Sequence, residues 1–99
     1  MTTDDSHIVI VNFEIETGAQ AEALEKIGAY VETFLSQQPG FIESALHAGL
    51  DGNSIVHYAR WESEDDFKAA GVGARAHPDM PALLAYKPSG QGYRVWKAY

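Results

Sequence analysis

Apolar and polar positions alternate along residues 7–16, HIVIVNFEIE, in a run rich in β-branched side chains, and predict a first strand. The period then changes. Leu24, Ile27, Gly28, Val31, Phe34 and Leu35 recur at three- and four-residue steps, with Glu22, Glu25, Lys26 and Glu32 between them. That pattern predicts an amphipathic helix with one buried stripe. Thr17 and Gln20 have the spacing of a capping box at its start, and Pro39-Gly40 ends it. Residues 41–50 predict a second strand, Asp51-Gly52 a hairpin turn, and residues 54–61, SIVHYARW, its antiparallel partner. Ser63 and Asp66 form a second capping signature, opening a short helix through about Ala70. Residues 71–81 are rich in Gly and Pro and predict an irregular loop, residues 81–86 one or two helical turns, and residues 92–99 a last strand.

The order strand, helix, strand, strand, helix, strand gives an α+β class: a ferredoxin-like βαββαβ domain, a four-stranded antiparallel sheet with both helices on one face. In the first strand Val9, Val11, Phe13 and Ile15 share one face, and Ile8, Ile10 and Asn12 the other. In the third, Val56 and Tyr58 oppose Ile55, His57, Ala59 and Trp61. Both faces are too apolar for one to meet water, so a homodimer packed sheet to sheet is expected. On that outer face Arg60 would pair with an acid across the interface.

Length and charge narrow the classes. At 99 residues the chain is one domain with a small core. A formal net charge of -7 argues against a nucleic-acid partner. The absence of cysteine removes thiolate metal sites and thiol nucleophiles and suits a cytoplasmic location. The N-terminus, Met-Thr-Thr-Asp-Asp, is acidic where a secretory signal would be basic, and no apolar run has membrane-spanning length. No Gly-rich turn joins a strand to a helix in the manner of a nucleotide-binding loop.

The chemistry concentrates in residues 55–67, IVHYARWESEDDF. His57 and Trp61 lie an even number of positions apart and therefore project from one face, with small Ala59 between them. Pattern alone allows core filling. Together with QPGFIESALH and the Asp-Gly turn, however, this stretch resembles the antibiotic biosynthesis monooxygenase family. It is most similar to the small quinone-forming enzymes of aromatic polyketide pathways, over roughly residues 8–70. The resemblance implies a dimeric α+β barrel with a cavity between sheet and helices in each subunit. It also implies oxidation of a polycyclic phenol or anthrone-type intermediate to a quinone by molecular oxygen, without a cofactor. Those enzymes place an Asn and a Trp on the third strand and a Tyr on the next helix. Here the matching positions hold His57, Trp61 and Phe67. His57, as base or substrate anchor, and Trp61 are the catalytic candidates.

The resemblance also extends to haem-degrading relatives, which carry a catalytic Asn near Asn12 and a haem-ligating His for which His77 is the candidate; their helix Trp is Ala70 here. Haem binding is thus the alternative to cofactor-free chemistry, and a non-oxidative cyclase or binding barrel a further one. Asn12, Phe34, His47, Phe67, Arg75 and His77 complete the substrate-binding candidates. His47 would face His57 across a three-residue loop and oppose it across a two-residue one. Arg75 would sit in a loop over the cavity mouth. His7, near the terminus, is assigned no role.

Overall fold

The computed structural model describes residues 5–99; the acidic start over residues 1–4 lies outside the described residues. The strands are β1 (His7–Glu14), β2 (Phe41–Ala48), β3 (Ser54–Trp61) and β4 (Ser89–Arg94), and the helices α1 (Gln20–Thr33), α2 (Glu64–Arg75) and the short α3 (Met80–Leu84). All pairs are antiparallel, in the order β2-β3-β1-β4, which is the expected ferredoxin-like sheet.

The helices cover the face that carries Val9, Phe13, Ile55, His57, Ala59 and Trp61, all buried. Ala23, Ile27 and Tyr30 of α1 pack on Phe13 and Ile55 from above, and Ala70 of α2 packs on Trp61. On the other face Ile8, Ile10, Val56 and Tyr58 lie side by side across β1 and β3. Arg60 on that face pairs within the chain, its Nη1 2.6 Å from Glu43 Oε2. Among the described residues no helix is long and apolar enough to cross a membrane.

Four local expectations are corrected. Thr17 does not cap α1, whose N-cap is Ala19 without a side-chain bond. Thr17 Oγ1 instead accepts from Asn53 Nδ2 at 3.1 Å, and Gln20 Nε2 donates to the carbonyls of Gly49 and Ser54. The pair of residues ties the helix start to the β2–β3 hairpin, whose carbonyls and Asn53 amide take up their side chains in place of a cap. α1 also stops at Thr33, ahead of a 3-10 turn over Leu35–Gln37, so Pro39 follows the end rather than making it.

α2 runs to Arg75, past the Gly-rich stretch expected to be loop. The Ser63 cap holds as predicted, Asp66 N donating to Ser63 Oγ at 3.1 Å. The glycines are tolerated because packing outweighs propensity: a Cβ on Gly73 would stand 3.2 Å from Phe34 Cζ, so the bare backbone lets α2 close onto α1. The last strand lies at Ser89–Arg94, earlier than the aromatic run at 92–99, because Gly90 and Gly92 pair with Val11 and Val9 of β1. Trp96 and Tyr99 beyond it are exposed.

Candidate active site

β3 sets out the site. Alternation sends Ile55, His57, Ala59 and Trp61 under the helices, and pairing places His57 beside Val11 and Ala59 beside Val9. The small Ala59 leaves room above the sheet. That room is a cavity of about 210 Å³ whose floor is β1 and β3, whose walls include Ile27, Tyr30, Phe67 and Ala74, and whose lining continues through Met80, Leu83 and Pro88. Its lining is almost wholly apolar.

His57 and Trp61 are 5% and 0% exposed. Trp61 meets the ring edges of Phe41 at 5.4 Å and Phe67 at 5.8 Å, which fixes the indole plane. His57 Nε2 and Trp61 Nε1 are both buried and without a hydrogen-bond partner among the described residues. A polar group orphaned in this way costs about 1–3 kcal/mol. Both belong to residues that line the same apolar cavity. Burial, helped by the charge of nearby His47, pushes the His57 imidazolium from its ordinary 6.5 down to about 4. The ring is therefore neutral at pH 7.

The other candidates divide sharply. Phe67 reaches the cavity and touches Trp61. Phe34 does not line it: its ring stacks on Tyr30 at 5.5 Å, behind the wall. His77 is likewise behind the wall, edge-on to Tyr30 and Phe34 at 5.1 and 4.9 Å, its Nδ1 accepting from Asp79 N at 3.1 Å. Arg75 ends α2 in solvent, its Nε donating to Gly71 O at 3.3 Å, and is not over the cavity. Asn12 is exposed on the sheet face away from the helices, on a central strand rather than an edge.

His47 also faces away. Gly49 N donates to Ser54 O at 2.8 Å and closes a connection of residues 50–53. This four-residue loop has the parity of the two-residue case, so His47 pairs with Val56 while His57 pairs with Leu46. Among the described residues no group of three or more His, Asp or Glu side chains is placed to hold a metal ion.

Tyr30 is a cavity residue that sequence reasoning missed, as are Met80 and Leu83. Tyr30 is buried, and burial raises its phenol above the ordinary 10. Its signal is the helical series Ala23, Ile27, Tyr30, one residue off the stripe that the larger aliphatic side chains mark out.

The profile of the antibiotic biosynthesis monooxygenase family matches residues 6–71, which hold β1 through most of α2. The chain belongs to this family. Tetracenomycin-F1 monooxygenase of Streptomyces glaucescens is 32% identical over 66 residues, which are 67% of this chain and 59% of that protein, so the match leaves about two fifths of that relative uncovered. A monooxygenase from the ActVA-Orf6 gene of Streptomyces coelicolor, solved with nanaomycin D, superposes with a TM-score of 0.82 at 25% identity, covering 97% of this chain and 92% of that one. SnoaB of Streptomyces nogalater, a cofactor-independent oxygenase solved as a variant, gives a TM-score of 0.78 at 26% identity over 95% and 96% of the two chains. Two of these relatives are thus monooxygenases, and SnoaB is an oxygenase that works without a cofactor.

Proposed function

We propose that this protein is a cofactor-independent monooxygenase that converts a polycyclic phenol or anthrone-type aromatic into a quinone with molecular oxygen. The observation that carries this reading is the pair of unpartnered nitrogens, His57 Nε2 and Trp61 Nε1, in an otherwise apolar cavity. Flat apolar walls suit fused rings, and a ring hydroxyl or the oxyanion derived from it supplies what the two nitrogens lack.

The low basicity of His57 shapes its role. Moving a proton from a phenol of pKa near 10 to an imidazole of about 4 is uphill by roughly 8 kcal/mol. Attraction between the imidazolium and the new anion in a dry cavity offsets part of this. His57 therefore takes the proton as the ion pair forms, and the Trp61 N–H donates to the anionic oxygen. The electron-rich anion passes one electron to oxygen, and the radical pair combines into a carbon–oxygen bond. The resulting peroxide anion takes the proton back from His57. Loss of water then leaves a carbonyl: one CH₂ and one O₂ become one C=O and one H₂O, with no external reductant.

Oxygen uptake with dithranol as the anthrone, with and without a chelator, tests the proposal. Protein-dependent, chelator-insensitive uptake with quinone formation is expected. Uptake no faster than the spontaneous rate would contradict it.

A further inference from the structure

A second depression, of about 240 Å³, lies beside the cavity between α2 and the edge strand β4. Val9, Val11 and Phe67 belong to both. The two valines make a continuous floor along β1, and Phe67 stands between the chambers. Its ring leans on Trp61 at 5.8 Å on the inner side and on His7 at 5.6 Å on the outer side.

The outer chamber exists because two successive inward positions of β4 are glycines. Gly90 and Gly92 pair with Val11 and Val9, which puts both on the helix-covered face. A Cβ on Gly92 would stand 2.8 Å from His7 Cε1, so this glycine makes room for the imidazole. A Cβ on Gly90 would meet nothing closer than Val11 Cγ2 at 3.5 Å, so the strip there is open. Glu64 and Lys68, 3.7 Å apart and mostly exposed, give the rim its charge. Neither chamber reaches the lower end, about 300 Å³, of ordinary small-molecule sites, whereas the two together do.

We infer that the Gly90–Gly92 groove is an outer subsite for the remote ring of an elongated fused aromatic, with Phe67 as the partition that turns aside to admit it. This rests on the aromatic-oxidation reading above. A flat floor of bare backbone and valine suits a planar ring, and its continuity with the cavity makes the occupant part of the same molecule. Oxygens at that ring's periphery meet His7 and Lys68 at the rim.

The test is equilibrium binding of two unreactive hydroxyquinones, one of three fused rings and one of four, followed by tryptophan fluorescence. Because neither quinone is oxidised, the result does not depend on oxygen chemistry. Gly90→Leu fills the groove and leaves the inner cavity alone. It is expected to weaken the four-ring quinone about tenfold or more and the three-ring quinone by less than about twofold. Gly90→Ile fills the same groove with a β-branched side chain suited to a strand and repeats the test if the leucine variant does not fold. Equal losses for both quinones, or none, would overturn the subsite while leaving the oxidation reading in place. Failure of the wild-type protein to bind either quinone would overturn both. A changed sedimentation coefficient with unchanged binding would give the groove to a second copy of the chain and overturn the subsite.

Discussion

At the scale of single residues, burial makes His57 a poor base and a pH-sensitive part of the fold. Above pH 6.5 it is neutral whether the chain is folded or not. As pH falls from 6.5 to about 4, the unfolded chain takes up a proton that the folded one refuses, so stability is lost over that interval. Urea unfolding at pH 7.5 and pH 4.5 should cost the wild-type protein about 2–3 kcal/mol more than it costs His57→Asn. Equal losses would show that the ring is not buried as described. For turnover, His57→Ala should lower kcat by about 10²-fold or more, and Trp61→Phe, which keeps a ring and loses the N–H, by less. Both should lower turnover more than stability; comparable losses of the two would return these residues to core filling. Their shared face was legible in the sequence, because strand parity needs only counting. Asn12, His47, Phe34, Arg75 and His77 were not: their positions depend on loop parity, on which strand is central, and on how α2 packs against α1.

At the scale of elements, the joint between β2 and α2 holds Trp61 in place. Gly40 has φ +85 and its carbonyl accepts from Glu62 N at 2.7 Å, next to the tryptophan. A Cβ on Gly40 would collide with the Asp66 side chain, which accepts from Ser63 Oγ at 2.9 Å. Gly40→Ala should therefore destabilise by about 1–2 kcal/mol or more, and Ser63→Ala by about 1 kcal/mol, read as thermal midpoints. A neutral Gly40→Ala would mean the joint is looser than described. Element order followed from hydrophobic period most clearly at β1, β3 and α1, which bury apolar side chains at regular spacing. The end of α2 and the place of β4 did not, because Gly71, Gly73, Gly90 and Gly92 are chosen for close approach or open space rather than for local propensity.

At the scale of the molecule, Ile8, Ile10, Val56 and Tyr58 form an apolar strip on the sheet face that the helices leave bare. A second copy is the expected cover, and sedimentation at micromolar concentration should give a dimer that Tyr58→Asp dissociates. A monomeric wild-type protein would contradict that expectation without touching the cavity. The central claim concerns the cavity, and isotopically labelled oxygen gas tests it most directly. With an anthrone as substrate and the quinone analysed promptly by mass spectrometry, one labelled atom per product is predicted, the other leaving as water. A quinone without label, its new oxygen drawn from solvent, would contradict the account.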